Sequence, residues 1–294
     1  MSIRRMTTIL DHGTIGYITS NDGTSISYYQ LGRGPGLVLL HGIMESAGSH
    51  LDIALALADT YTVCLPNRRG RGLSGPYGEH YSLQTEIEDL DALLTHTGAH
   101  YIFGISLGGL IALHAALRLS AIRKAAVFDP PLCLNGSVSH DWLKRYREEI
   151  KQEKIAAALV TSMLGAQMGP SFFRRLPRRI LEFLTKMMIA NEEKKAAVDD
   201  ITIKMLAPTL HYDGELVVET SDKLEEFRTL QTEILLLGGD RSPSYMKYAL
   251  HALEKTLPNS SRVEFNRMGH EGTGNAVHRG QPHRVEQELR KFFR

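Results

Sequence analysis

Apolar residues recur along this chain in two different periods, and the alternation between them predicts its architecture. Short runs that are apolar at nearly every position occur at 37–40, 61–65, 101–105, 125–128, 234–237 and, more weakly, 262–265. A run without polar alternation is the mark of a strand covered by helices on both faces. Between the runs, apolar residues return every three or four positions. Leu83, Ile87, Leu90 and Leu94 do so in the first such stretch, and 245–257 and 285–293 follow the same rule. That spacing puts them on one face of an amphipathic helix. Strand and helix in alternation, with short connections, predict right-handed crossovers and a doubly wound, mostly parallel α/β sheet. Upstream, 13–30 reads as two short strands around Asn21-Asp22-Gly23, a turn that supplies the positive φ of a tight hairpin.

The alternation lapses once. From 134 to 229 the pattern is helical, with no convincing strand. Inserted between two sheet strands, this block predicts a helical cap (134–229) over the carboxyl edge of the sheet, the core being 1–133 and 230–294. Its Met163, Met168, Phe172, Phe173, Phe183, Met187, Met188 and Met205 are candidates either for plain helix packing or for lining a pocket between cap and sheet.

Composition narrows the partners. The 294 residues are 43% apolar, enough for a large core, and the formal net charge is +1 with both signs scattered along the chain. Nothing favours nucleic acid or a membrane surface as partner, and homo-oligomerisation is left open. The basic runs at 68–71 and 174–179 read as solvated or hydrogen-bonded structural arginines. Two cysteines, Cys64 and Cys133, are too few for a disulfide scaffold or a thiolate metal site. Residues 1–10 hold no apolar stretch long enough for a signal sequence, so a cytoplasmic location is expected.

The chemistry enters at Gly104-Ile105-Ser106-Leu107-Gly108-Gly109, where the apolar run 101–105 gives way to a helical stretch rich in leucine and alanine, 107–119. Gly-x-Ser-x-Gly arises by chance in about one chain in ten of this length at ordinary glycine and serine usage, so context must decide. Here a strand must turn at once into a helix. Its corner residue is forced into a sparsely allowed conformation, and its neighbours must lack side chains, which Gly104 and Gly108 provide. Ser106 then stands at the positive end of the following helix, as a nucleophile should. After the run 37–40 comes His41-Gly42-Ile43-Met44, a turn whose glycine lets backbone approach the nucleophile. The N–H groups of Ile43 and Leu107 are candidate oxyanion donors, each worth roughly 3 kcal/mol to a transition state. Near the end, Gly269-His270 sits in a glycine-flanked loop after the last apolar run, a position suited to a general base.

Taken in order, His41-Gly42, Asn67-Arg68-Arg69-Gly70-Arg71-Gly72-Leu73-Ser74, the Ser106 motif and Gly269-His270 make the chain resemble the α/β-hydrolase family over nearly its whole length apart from the cap. The resemblance implies a Ser-His-acid triad in which His270 is the base, an oxyanion hole and no cofactor. It gives the arginine-rich loop a structural part only. The acid departs from the family pattern. Where most members carry Gly-x-x-Asp after the seventh strand, this chain reads Gly238-Gly239-Asp240-Arg241-Ser242, with a serine at the usual aspartate position. Asp129, closing the run 125–128, is the preferred acid, because some members (haloalkane dehalogenases and pancreatic lipases among them) take theirs from that strand end. Asp240 is the runner-up.

The function this implies is acyl transfer to Ser106 and hydrolysis of a small or medium apolar ester or lactone, with a small-molecule apolar substrate as partner. The same triad serves cofactor-free haloperoxidases, carbon–carbon bond hydrolases and thioesterases. From another class, a slow or non-catalytic ligand-binding protein on the hydrolase scaffold is the alternative, kept open by the displaced acid.

Overall fold

A computed structural model describes residues 12–168, 171–197 and 200–294; the segment 1–10 read above lies outside the described residues. Eight strands, β1 (Gly13–Thr19), β2 (Ser25–Leu31), β3 (Gly36–Leu40), β4 (Thr62–Pro66), β5 (Tyr101–Ile105), β6 (Lys124–Phe128), β7 (Glu233–Gly239) and β8 (Ser260–Phe265), form one sheet. Their order is β1-β2-β4-β3-β5-β6-β7-β8. The opening hairpin pairs antiparallel, as does β2 with β4, and every other neighbour is parallel. The chain thus has the mostly parallel, doubly wound sheet that the alternation of runs predicts, and with it the α/β-hydrolase fold that the resemblance implies.

Helices cover both faces. On one lie α1 (Leu51–Leu57) and, at the end of the chain, Pro282–Phe293, packed on Leu37, Leu39, Phe103 and Phe128. On the other lie α2 (Leu83–Thr97), α3 (Leu107–Ala116) and Ser244–Thr256, packed on Val38, Leu40, Ile102 and Val127. Successive side chains of one strand enter opposite clusters, which is why the strands are apolar at every position. The helix α1 was not anticipated, because seven residues of mixed apolar spacing carry too little periodicity to separate helix from strand.

Between β6 and β7 the described residues form only helices: α4 (Trp142–Lys151), α5 (Ile155–Gly165), α6 (Arg178–Lys195), α7 (Ile203–Leu206) and α8 (Leu210–Thr220), with short 3-10 turns. The two helices after β7, Ser244–Thr256 and Pro282–Phe293, are α9 and α10. A small third cluster of Leu143, Tyr146, Ala158 and Leu210 packs against Ile43 and Met44, so the inserted helices rest on the turn after β3. Of the eight candidate pocket residues, Phe172, Phe183, Met187 and Met205 are more than half exposed and do not line the cavities described below. Met163, Met168, Phe173 and Met188 line them.

The arginine-rich loop is buried structure. Arg68, Arg69 and Arg71 are no more than 2% exposed. Arg69 bonds Asp89 and Asp22, and Arg68 bonds Glu86. Arg68 and Arg71 converge on Asp213 of α8, itself fully buried, which ties the inserted helices to the core. Removing one partner of such a group leaves the others charged and unpaired. Asp213→Ala is therefore expected to cost about 3–5 kcal/mol of stability, read as a lowered urea midpoint. A loss below about 1 kcal/mol, the range of exposed pairs, would contradict the assignment.

Candidate active site

The residues singled out from the sequence lie at the carboxyl ends of the strands, where doubly wound sheets place their ligands. Ser106 follows β5 directly and has φ 51° and ψ −123°, the strained corner conformation expected of a strand that turns straight into a helix. The space beside the corner is closed to side chains. A Cβ on Gly108 would lie 2.2 Å from the Leu40 carbonyl oxygen, so α3 reaches the end of β3 only with glycine there. Likewise a Cβ on Gly42 would lie 2.8 Å from the Ser106 Cβ, so the turn after β3 lies against Ser106. Leu107 opens α3, so its N–H has no acceptor within the helix. Ile43 lines the same cavity as Ser106.

Asp129 follows β6, also at positive φ, 45°, and is fully buried. Its Oδ2 lies 3.3 Å from His270 Nδ1 and accepts the Ser242 hydroxyl at 2.5 Å. The serine that occupies the usual acid position therefore bonds the preferred candidate acid. Asp240 is not brought to His270. Its Oδ1 accepts the Met268 N–H at 3.1 Å, and its carboxyl is held below the usual range chiefly by the backbone N–H of Arg267, with that of Met268 adding to it. Ser106 and His270 line one cavity of about 470 Å3. No hydrogen bond joins their side chains among the described residues.

Burial of His270 disfavours its charged form, but the bond to Asp129 and that carboxylate's charge, aided by Glu45 and Glu271, outweigh this and raise its pKa. With Nδ1 turned to Asp129, Nε2 is the nitrogen left for the nucleophile.

Three supporting groups flank the site, of which Glu45 and His50 escaped the sequence reading. Buried His41 bonds the Gly42 carbonyl through Nδ1 and accepts the Arg68 N–H at Nε2, a neutral tautomer. Burial first, then the charges of Arg71 and Arg68, hold its pKa well below the ordinary histidine value. Buried His50 faces acceptors with both nitrogens, the Thr273 carbonyl at 2.8 Å and Glu45 Oε2 at 2.9 Å. Two such partners favour the form of the ring that carries both N–H groups. Its pKa is raised because Glu45 and the Thr273 carbonyl outweigh burial. Glu45 also accepts the Gly42 N–H at 2.7 Å, joining the turn after β3 to the loop that carries His270. The only sequence signal was their nearness to His41-Gly42, since a lone Glu or His carries no spacing rule. Among the described residues no group of three His, Cys, Asp or Glu is placed to hold a metal, and no helix is long and apolar enough to cross a membrane.

Comparison with known proteins bears on the family and the fold. A family model described as "Alpha/beta hydrolase family" matches residues 37–288. Curated relatives include the pimeloyl-[acyl-carrier protein] methyl ester esterase of Xanthomonas axonopodis pv. citri, 25% identical over 264 residues, 89% of this chain and 96% of that protein. The protein of the same name from Stenotrophomonas maltophilia K279a is 26% identical over 242 residues, 81% of this chain and 87% of that one. Among solved structures, an alpha/beta hydrolase from Sphaerobacter thermophilus has 27% identity and a TM-score of 0.77, covering 95% of this chain and all of its own. An esterase from Rhodococcus sp. ECU1013, at 21% identity and TM-score 0.66, shares the fold over 95% of this chain and 98% of its own.

If Asp129 serves His270, Asp129→Asn lowers kcat/KM by about four orders of magnitude, as loss of a triad acid does, while Asp240→Asn stays within a few-fold. Equal losses, or the reverse order, contradict it. The pH profile gives a second check. The base must be unprotonated, so a raised His270 pKa puts the acid limb of kcat/KM above about 6.5. Asp129→Asn removes the charge that favours the protonated ring and moves the residual activity's limb to lower pH; an unmoved limb counts against the pair.

Proposed function

The chain belongs to the alpha/beta hydrolase family, and we propose that it is a serine-dependent carboxylic ester hydrolase acting on neutral, apolar esters of small to medium size. The observation that carries this reading is the buried Asp129 carboxylate against His270 Nδ1, with that ring facing the same cavity as the strained Ser106. The names of the curated relatives, ester hydrolases in each case, point the same way.

The roles follow from the geometry. His270 Nε2 takes the Ser106 proton as Oγ attacks the ester carbonyl, and Asp129 stabilises the imidazolium so formed. The carbonyl oxygen, now an oxyanion, lies against the N–H groups of Ile43 and Leu107. His270 then gives its proton to the departing alkoxide, leaving an acyl group on Ser106. Water, deprotonated by the same ring, attacks that acyl group and frees the acid and the serine. The inserted segment 134–229 acts as a cap whose Trp142, Leu143, Leu210 and Val217 close the cavity over Ser106. An apolar, partly enclosed site favours apolar substrates and strengthens the oxyanion contacts by excluding water.

Exposure to a fluorophosphonate followed by intact-mass measurement tests the nucleophile. One adduct is expected on the native protein and none on Ser106→Ala. A folded native protein that takes no adduct overturns the reading and leaves a ligand-binding protein on a hydrolase scaffold.

A further inference from the structure

Two cavities meet at His270. The one of about 470 Å3 holds Ser106 and Ile43 as well as His270. The other, of about 560 Å3, touches His270 but neither Ser106 nor Ile43. Met44, Glu45, Met163, His270 and Glu271 form the wall between them.

Ester hydrolysis parts the substrate into halves whose places are dictated by chemistry. The acyl half stays bonded to Oγ with its oxygen at the oxyanion donors. The alkoxy oxygen must lie against the ring that protonates it. The cavity that contains nucleophile and oxyanion turn is thus on the acyl side, and the one that meets it at His270 without touching Ser106 is on the alcohol side. Resting on the ester-hydrolase reading above, we propose that the second cavity is the leaving-group subsite and that it takes a bulky, uncharged, apolar alcohol.

Size and lining set the class. The volume falls within the range of pockets that hold drug-sized ligands, roughly 300–1,000 Å3, so a methoxy group leaves it almost unfilled. Phe173, Leu181, Leu184, Met188 and Leu206 supply an apolar surface. Against it each buried methylene raises transition-state affinity by up to about fourfold. No lysine or arginine among the described residues lines either cavity. At the shared wall stand Glu45, paired with His50, and Glu271, which has no ion pair among the described residues. An alcohol bearing a carboxylate would meet the Glu271 charge with no lysine or arginine in the lining to offset it.

The experiment compares kcat/KM for three butyrate esters, those of methanol, hexan-1-ol and 6-hydroxyhexanoate, with fluorophosphonate labelling of Ser106 in parallel. The hexyl ester is expected to exceed the methyl ester by about tenfold or more and the carboxylate-bearing ester by a similar factor. Met188→Trp, at the partly exposed mouth of the second cavity, is expected to cut the hexyl-to-methyl ratio by about tenfold. Met187→Trp, on the exposed side of the same helix, keeps that ratio. A methyl ester turned over as well as the hexyl ester, a ratio indifferent to Met188→Trp, or equal turnover of the carboxylate-bearing ester overturns the subsite on a protein whose Ser106 still labels. Loss of labelling together with turnover of every ester overturns instead the ester-hydrolase reading, and the subsite with it.

Discussion

The candidate reactive groups hang from the last hydrogen bonds of the parallel sheet, and the rest of the site depends on those rungs. The Ser106 N–H donates to the Phe128 carbonyl at 2.9 Å, and the Asp129 N–H donates to the Leu237 carbonyl at 2.9 Å. Nucleophile and candidate acid are therefore one rung apart on strands that cannot slide without breaking a buried ladder. Both residues sit at positive φ, a conformation that costs about 1–3 kcal/mol and persists only where the surroundings over-determine it. Here the close approach of α3 to β3 through Gly108, and of the turn after β3 through Gly42, supplies that constraint.

Loops that lack a ladder are fixed by charge. Neutral His41 bridges the turn at Gly42 to the arginine-rich loop, whose Arg68 and Arg71 run on to Asp213 in α8. The ring of His50 bridges Glu45, and through it the Gly42 N–H, to Thr273 in the His270 loop. These two networks join the turn after β3, the arginine-rich loop, α8 and the His270 loop. Buried ionic groups of this kind contribute little net stability against apolar replacements, yet they penalise any arrangement that separates the partners. Positional definition at the site is what they add.

Most of the fold was legible in the sequence because strands buried on both faces leave unbroken apolar runs, and the six read this way lie within two residues of the observed strands. The strand-to-helix corner at Ser106 was legible for a similar reason, since its steric demand writes two glycines at fixed offsets. The acid was legible only as a choice. Asp129 and Asp240 both end apolar strands, and no local pattern says which carboxylate crosses to His270. Ser242 looked like a loss of function at the usual acid position, whereas its hydroxyl bonds the Asp129 carboxylate. That contact spans 113 positions of sequence and leaves no trace in spacing. Glu45 and His50 were invisible on the same grounds. In the inserted helices, methionine and phenylalanine at helical spacing gave cavity lining and solvent-exposed surface alike, because periodicity reports a face and not what covers it.

The relocated acid is the claim on which the account turns, and the proton between Asp129 and His270 Nδ1 reports it directly. In a proton NMR spectrum at low pH, where the ring is charged, that proton should resonate far downfield of the amides. It should vanish in Asp129→Asn and remain in Asp240→Asn. A downfield resonance that survives Asp129→Asn and is lost in Asp240→Asn would contradict the account, and would return the acid to the seventh strand.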